Sequence, residues 1–388
     1  MHRPQYVSPW MTEETMAVRQ VAHDFFMREA IPNREKWESQ QCVDRDFWHK
    51  AGELGLLCAG MPAEFGGGGG TFAHDLAIFD AQAMAGDTGF GNAVHSGLVA
   101  YYIVRYGTPE QKQRWLPKMA SGELVTASAM TEPGGGSDLN NLRMVARRDG
   151  DGYVINGSKI FTSNGASADL VLLVLKTGAV DGPISLIAAE TNRDGFSVGR
   201  ILNKVGMKAQ DTAQLFFDEV RVPAENLIGE EGRGLQYAVE QLAHERLLIA
   251  AQAATVMECA VAETVRYANT REAYGKPISR MQHIRFEIAG CATSARVGRV
   301  FVDRCITDHI EGRLDATTAC MAKVWLTESQ CEVVDRCVQV FGGYGYMLDY
   351  PIARMYADSR PQRVYAGTTE VMNTLIARDV LSGAHLRQ

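Results

Sequence analysis

The sequence contains none of several short motifs that carry well-known chemistry. It has no G-x-G-x-x-G, no G-x-x-x-x-G-K-[ST], no G-x-S-x-G and no H-E-x-x-H segment. The glycine-rich nucleotide loops, the nucleophile elbow and the zinc-protease helix that these motifs mark are therefore not indicated. The glycine run at 66–70 has none of these spacings, and it predicts a flexible loop.

Basic residues are also fewer than acidic residues. Lys and Arg number 39 against 46 Asp and Glu, which gives a formal net charge of −7. Because binding to the phosphates of a nucleic acid requires a net basic face, this balance argues against nucleic acid as the main partner. A local basic patch could still hold a phosphorylated cofactor.

The eight cysteines show neither a C-x-x-C pair nor a zinc-like spacing. Most of them fall within helical apolar patterns, where a cysteine is usually a small core residue. We therefore predict no metal site and no disulfide bonds, which suits a reducing compartment.

No apolar run approaches the ~18 residues that are needed to span a bilayer, so no membrane span is expected. The first residues have neither the hydrophobic region of a signal peptide nor the acid-poor, Arg- and Ser-rich character of a transit peptide. These absences favour a cytoplasmic protein of a bacterium, with a processed protein of the mitochondrial matrix as the alternative.

What the chain does have is a change of periodicity at two points. Apolar residues recur at helical spacing through 1–121 and again through 233–388, whereas 122–232 consists of short β-rich runs separated by turn signals. Long helices are predicted near 234–268, 281–311 and 316–340. The chain is thus predicted to be an α+β multidomain protein with an N-terminal helical domain, a middle antiparallel β-barrel or sandwich, and a C-terminal helical bundle.

One helix of the third domain carries a carboxylate where an apolar residue is expected. Its apolar stripe includes Leu242 and Ile249, and Glu245 falls on that stripe. A lone carboxylate on a buried face is costly unless it is paired or protonated, and Arg246 points about 100° away on an ideal helix. Two interpretations stay open from this helix alone. Glu245 is either a functional acid with a raised pKa or a solvated or distantly paired residue at the edge of the stripe.

Three glycine-containing segments are candidates for ligand binding. "AMTEPGGGSDLNN" (129–141) lets backbone amides approach a ligand, with an ordinary β-bulge loop as the alternative. "QVFGGYG" (339–345) either holds a ligand or ends a helix. "VYAGTTEVMN" (364–373) places a turn before a capped helix, which is a common ligand position, although its apex residue, Ala366, has no reactive group.

These segments occur together in one family, and over nearly its whole length the chain resembles the acyl-CoA dehydrogenases. "AMTEPGGGSD" is similar to the first family signature and "QVFGGYGYMLDYPIARMYAD" to the second. "REAYGKPISRMQ" (271–282) resembles the segment that reaches the flavin of a neighbouring subunit. The resemblance implies the acyl-CoA dehydrogenase fold, FAD, a CoA thioester and a homotetramer built as a dimer of dimers.

Carried over residue by residue, the resemblance assigns flavin contacts to five segments. Phe161 stands where many relatives carry tryptophan, so stacking on the flavin ring is retained but the indole N–H is lost. Arg271 and its neighbours, together with the 339–343 turn, would reach the flavin of the partner subunit. The implied FAD-binding residues are Ser128, Met130, Thr131, Ser137, Phe161, Thr162, Ser163, Arg271, Met281, Gln282, Gln339, Gly342, Gly343, Thr368 and Glu370.

The resemblance also locates the base. Many family members place a catalytic glutamate at the position of Ala366, whereas the long-chain and isovaleryl branches place it on the helix of "HERLLIA", where Glu245 stands. The segments "VHSG", "KAQDTA" and "RLDATTACMAK" are further similar to the long-chain branch. The implied substrate-binding residues are Ser137, Arg246, Ala366 and Gly367.

The reaction implied is α,β-dehydrogenation of a long-chain acyl-CoA to the trans-2-enoyl-CoA. Glu245 would remove the α-proton, flavin N5 would accept the β-hydride, and an electron-transferring flavoprotein would reoxidise the flavin. The backbone N–H of Ala366 would donate to the thioester carbonyl. Two alternatives remain: a flavin oxidase or monooxygenase on the same fold, and a noncatalytic acyl-CoA-binding paralogue.

Overall fold

Three blocks of secondary structure follow one another through residues 6–383, the part of the chain that the computed structural model describes. The first block contains α1 (Glu13–Phe25), α2 (Arg34–Gln40), α3 (Arg45–Glu53), α4 (Phe72–Ala85), α5 (Asn92–Val94), α6 (Ala100–Tyr106) and α7 (Pro109–Ala120). A capping box in which Thr12 and Thr15 exchange hydrogen bonds begins α1. A π-helical segment, His95–Val99, joins α5 to α6 into one helical rod.

The middle block is the β domain, and the third block is again helical. The middle block contains β1 (Thr126–Ala129), β2 (Val145–Asp149), β3 (Gly152–Ser163), β4 (Leu170–Thr177), β5 (Ile184–Glu190), β6 (Phe196–Ile201), β7 (Thr212–Pro223) and β8 (Leu227–Ile228). The third block contains α8 (Gly234–Thr270), β9 (Glu272–Ala273), β10 (Lys276–Pro277), α9 (Gln282–Ile310), α10 (Ala316–Phe341), α11 (Pro351–Ser359) and α12 (Thr369–Ser382). The predicted order of helical, β and helical domains is confirmed.

The strands of the middle block form one mixed sheet. The order is β6-β7-β3-β2-β4-β5-β8, with β1 beside β4. Both β1 and β2 run parallel to β4, so the expected antiparallel pairing is wrong at these two places. Parallel neighbours need a long crossover rather than a tight turn, and β3 lies within the connection that returns the chain to β4. The remaining pairs are antiparallel, as predicted.

Strand β4 joins the first two blocks because both of its faces are buried. Every residue of "LVLLVLKT" is buried. Leu172 and its neighbours at alternate positions pack with Ile103 and Trp115 of the first block, whereas Leu173 packs with Leu215 inside the β domain. An uninterrupted apolar run is the pattern expected for a strand that is covered on both sides.

Helix α8 is the central element of the third block. It packs against α9 and α10 and also against α4 of the first block. Within the described residues it is the one helix that meets the length and hydropathy limits for a membrane span, with a mean hydropathy of 1.3 over the relevant window. More than half of that window is buried inside the protein. Burial in the bundle accounts for this composition.

All eight cysteines are free thiols in the structure. Within residues 6–383, His, Cys, Asp and Glu side chains form no group of three or more that could hold a metal ion.

The buried position of Leu172 in β4 predicts a large effect of truncation. We expect Leu172→Ala to lower the free energy of unfolding by about 2–5 kcal/mol, because it leaves a cavity between the first two blocks. Denaturant-induced unfolding measures this change. Val198→Ala, at a valine of β6 that is 40% exposed, is the control and should change stability by no more than about 0.5 kcal/mol. Equal losses in the two variants would contradict this account of β4.

Candidate active site

Each side chain of the segment His244–Arg246 has its own partner. His244 Nε2 donates to the carbonyl of Gly97 at 2.9 Å, which connects α8 to the π-helical segment of the first block. Tyr102 Oη donates to Glu245 Oε1 at 3.1 Å. Arg246 Nη1 lies 3.1 Å from Cys320 Sγ on α10. Three successive residues of one helix thus contact three different surroundings.

Glu245 is a half-buried carboxylate with an altered acidity. Burial raises the pKa of Glu245 to about 7, and this effect exceeds the opposing effects of the Tyr102 hydrogen bond and of the Arg246 charge. The rise is in the direction expected for a functional acid on the apolar stripe. At neutral pH such a group is divided between its acid and carboxylate forms, so it can accept or donate a proton.

Arg246 is buried and incompletely satisfied. Its side chain makes a contact with Cys320, but its Nε atom has no hydrogen-bond partner among the described residues. An unpaired donor at a buried position is costly, so it indicates a site that a polar ligand group can complete. This observation is consistent with the substrate contact that the resemblance assigns to Arg246.

The segment 364–373 forms a strained turn followed by a capped helix. Ala366 and Gly367 both have positive φ angles, +52° and +92°. Thr368 caps α12 by accepting a hydrogen bond from Val371 N–H, as the sequence predicts. The hydrogen bonds of the described residues include none that is donated by the N–H groups of Ala366 or Gly367. Two backbone donors are therefore available to a ligand at the apex of this turn.

Helix α10 brings the base helix and the turn together. Cys320 contacts Arg246, and one turn further along α10 the Nζ atom of Lys323 donates to the carbonyl of Gly367 at 2.6 Å. Residues three apart on a helix share a face. Burial lowers the pKa of Lys323 to about 8, and the nearby charge of Arg246 contributes to this effect. The residue that follows Glu245 and the Ala366–Gly367 turn, which are far apart in sequence, therefore both contact α10.

The candidate flavin loop after β1 is held by a buried ion pair. Lys159, fully buried on β3, donates to the carbonyl of Met130 and to Glu132 Oε1, both at 2.9 Å. The N–H of Ile160 donates to the carbonyl of Thr131. Ser128, Met130 and Thr131 lie half-buried along this edge, while Ser137 is exposed at the far end of the loop.

At the end of β3, the predicted flavin contacts lie where a ligand can reach them. Phe161 is 65% exposed and has a positive φ of +59°, which is unusual for an aromatic residue. Thr162 is buried, and its hydroxyl has no hydrogen-bond partner within residues 6–383. An exposed ring next to an unsatisfied hydroxyl fits a planar, polar-edged cofactor. Ser163 follows, half-buried.

A cavity of about 470 Å³ collects the other group of predicted cofactor residues. Arg271, Gln339, Gly342 and Gly343 line it, and Arg271 stacks over the ring of Tyr344. An arginine beside open glycine backbone is suited to a diphosphate. The loop at 128–137 and the end of β3 do not line this cavity. That the two groups of residues serve different cofactor molecules in an oligomer stays a prediction.

Three predicted residues are placed less decisively. Met281 and Gln282 stand at the start of α9 and do not line the cavity around Arg271. Glu370 is exposed in the first turn of α12, where hydrogen bonds from its own backbone N–H and from Thr368 lower its pKa. Their cofactor contacts stay predictions.

Two residues of this site were not identified from sequence. Tyr102 lies among other aromatic residues of α6, and nothing in that pattern distinguishes it. Lys323 could have been found by the reasoning that located Glu245. It occupies the same helix face of α10 as Ala319, Leu326 and Thr327, all of which are buried.

Comparison with known proteins identifies the family. Models of the N-terminal, middle and C-terminal domains of acyl-CoA dehydrogenase match residues 12–123, 127–220 and 232–381. The mitochondrial long-chain specific acyl-CoA dehydrogenase of Rattus norvegicus is 44% identical over 368 residues, which cover 94% of this chain and 86% of that protein.

Solved structures agree with this result. An acyl-CoA dehydrogenase from Geobacillus kaustophilus has a TM-score of 0.93 and 43% identity, with 96% of this chain and 100% of that chain covered. An acyl-CoA dehydrogenase from Bacillus anthracis, complexed with FAD, has a TM-score of 0.91 and 30% identity, with 98% and 69% covered. The fold and the site thus define a three-domain flavoprotein oxidoreductase. The chain belongs to the acyl-CoA dehydrogenase family.

The hydrogen bond between Tyr102 and Glu245 predicts a change in acidity. Because the phenol stabilises the carboxylate, we expect Tyr102→Phe to raise the pKa of Glu245 above its value of about 7. The carboxyl C=O stretching band, followed against pH in infrared difference spectra with Glu245→Gln as reference, measures the midpoint. Tyr106→Phe, which removes a hydroxyl bonded to Glu240 instead, should leave it unchanged. An unaltered midpoint in Tyr102→Phe would refute this role.

Proposed function

We propose that the protein catalyses FAD-dependent α,β-dehydrogenation of acyl-CoA to trans-2-enoyl-CoA, with Glu245 as the base. The observation that carries this proposal is the combination of a half-buried carboxylate of pKa about 7 with two free backbone donors at the Ala366–Gly367 turn. Helix α10 contacts both Arg246, which follows Glu245, and the carbonyl of Gly367 in this turn. Family membership supplies the reaction class.

Glu245 acts on the proton next to the thioester carbonyl. A carboxylate of ordinary pKa is a poor match for such a weak carbon acid, and a base with a pKa near the operating pH transfers protons more effectively. Burial supplies that rise here. The hydrogen bond from Tyr102 to Glu245 Oε1 lowers the pKa of Glu245 in part and keeps its carboxylate oriented.

The turn stabilises the charge that develops on the carbonyl oxygen. The N–H of Ala366 donates to that oxygen, which becomes more negative as the α-proton leaves. A backbone donor does not depend on the side chain at its position, so an alanine at the apex is sufficient. The unsatisfied Nε of the buried Arg246 is a further cationic donor that a polar group of the substrate could complete.

The candidate cofactor residues fit FAD. Phe161, Thr162 and Ser163 would face the ring system together with Met130 and Thr131, and the open cavity beside Arg271 would hold the diphosphate of a partner subunit's cofactor. FAD supplies the acceptor for the β-hydride. The chain's own contribution is position, exclusion of water and the proton transfer by Glu245.

Two partners follow from this proposal. The residues around Arg271 do not line a common cavity with the loop at 128–137, which supports a site completed by a second copy of the chain. We propose a homotetramer built as a dimer of dimers, in line with the family. An electron-transferring flavoprotein is the proposed electron acceptor, in line with the family.

The role of Glu245 predicts a large loss of rate on its replacement. We expect Glu245→Gln to retain FAD and to lose at least ~10²-fold in the rate of flavin bleaching by acyl-CoA, because the amide cannot accept the proton. Anaerobic stopped-flow absorbance measures this rate. Glu240→Gln, which changes an exposed carboxylate on the same helix, is the matched control and should bleach normally.

Near-normal bleaching in Glu245→Gln would exclude it as the base. Hydrogen peroxide formed in equal amount to product in air by the unmodified protein would instead favour an oxidase.

The similarity to long-chain relatives predicts the substrate preference. With saturated acyl-CoAs from butyryl to eicosanoyl and with isovaleryl-CoA, we expect the highest kcat/KM for the longer straight chains, since the chain shares 44% identity with a long-chain enzyme. Steady-state oxidation with an artificial electron acceptor measures the series. A maximum at butyryl-CoA or isovaleryl-CoA would contradict the long-chain assignment without affecting the reaction class.

A further inference from the structure

Lys323 is a buried cation to which the proposed mechanism gives no role. It is fully buried on α10 and makes no salt bridge among the described residues. The nearby Glu328 is already occupied, because Arg363 lies 2.6 Å from it and Thr369 donates to it. A buried ammonium without a carboxylate partner is costly, so its retention calls for a contact that needs it.

That contact is the carbonyl of Gly367. Lys323 Nζ donates to it at 2.6 Å, which is a short, charge-assisted hydrogen bond. On either side of this point the turn is held by the N–H of Tyr365, which donates to the carbonyl of Pro361, and by the Thr368 cap. Lys323 is therefore the one restraint that the described residues place on the apex from outside its own segment.

The turn needs such a restraint because its backbone is strained. Ala366 has a left-handed φ of +52°, a conformation that costs a non-glycine residue roughly 1–2 kcal/mol. Relaxation of this residue would redirect its N–H. Glycine is favoured at residue 367 because its φ is +92°, a conformation that is strained for residues with a side chain.

We propose that Lys323 is a positioning residue that holds the Ala366–Gly367 turn, so that the free backbone N–H groups at its apex face the thioester carbonyl. This inference rests on the proposed function. The Lys323 charge also adds to the positive field of Arg246, because Arg246 contacts the same turn of α10 that carries Lys323. Lys323 is not a proton carrier in this scheme.

Acetoacetyl-CoA tests the proposal without turnover. Its second carbonyl acidifies the α-proton, so the bound molecule divides between a neutral form and an enolate that absorbs in the ultraviolet. The ratio of the two forms at neutral pH reports how well the site stabilises negative charge on the thioester oxygen. The probe's dissociation constant and the FAD content are measured alongside, because a merely structural defect changes those quantities.

Lys323→Met keeps the length of the side chain and removes the donor. We expect the ratio of enolate to neutral probe to fall on the order of tenfold, equivalent to one lost hydrogen bond, with FAD content retained. Lys176→Met removes another buried lysine, on β4 and outside the site, and should leave the ratio unchanged. A ratio in Lys323→Met equal to that of the unmodified protein would overturn the proposal.

Two further outcomes are distinguishable. If Lys323→Met does not retain FAD, Lys323→Gln, with a shorter neutral donor, takes its place. In Lys323→Gln, a ratio of enolate to neutral probe that lies between the ratios expected for the unmodified protein and for Lys323→Met supports the proposal. A ratio equal to that of the unmodified protein overturns it. If the unmodified protein itself forms no enolate from the bound probe, the proposed function fails, and the positioning role fails with it.

Discussion

Burial of the Glu245 carboxylate within the packed face of α8 costs free energy that no salt bridge in the described part of the chain offsets. The cost is visible as the raised pKa of Glu245, which the Tyr102 hydrogen bond and the Arg246 charge reduce only in part. Everything that surrounds this group has to maintain its desolvation. The packing of α8 against α4, α9 and α10 does so, and it also explains why the helix is apolar enough to resemble a membrane span.

Helix α10 connects the separate parts of the site. One turn of α10 places the thiol of Cys320 against Arg246 and the ammonium of Lys323 against the carbonyl of Gly367. A shift of α10 would therefore disturb its contacts with both α8 and the Ala366–Gly367 turn. The same helix ends at Gly342, in the turn that lines the cavity beside Arg271. Residues from two parts of the proposed site thus contact or belong to one helix.

Much of the fold was predictable because periodicity is a local property. The boundaries of α8, α9 and α10 lie within two residues of those expected from helical spacing. Parallel pairing of β1 and β2 with β4 was not predictable, since strand direction depends on a connection that local pattern does not describe. The doubly buried run "LVLLVLKT" was the available sign that β4 is central.

The site residues likewise include some that local sequence patterns identify and some that they do not. Glu245 was found because a charge interrupts an apolar stripe, and Lys323 interrupts a stripe in the same way. Tyr102 could not be found, because an aromatic residue in a helix has many uses and its hydroxyl partner lies 143 positions away. The Thr162 hydroxyl was assigned by resemblance alone; only the three-dimensional structure shows that it lacks a partner.

The π-helical segment His95–Val99 sets the rotation of α6 about its helix axis relative to α5. A residue added to or removed from a helix rotates everything beyond it by about 100°. Tyr102 follows this segment directly, whereas Gly97, the acceptor for His244, lies within it. A deletion that restored a regular helix would therefore turn Tyr102 away from Glu245 while leaving the residues before the segment in place. The number of residues in this π-helical segment therefore fixes the direction in which Tyr102 points. Because Tyr102 affects the pKa of Glu245, that pKa depends on the length of a helix in a neighbouring domain.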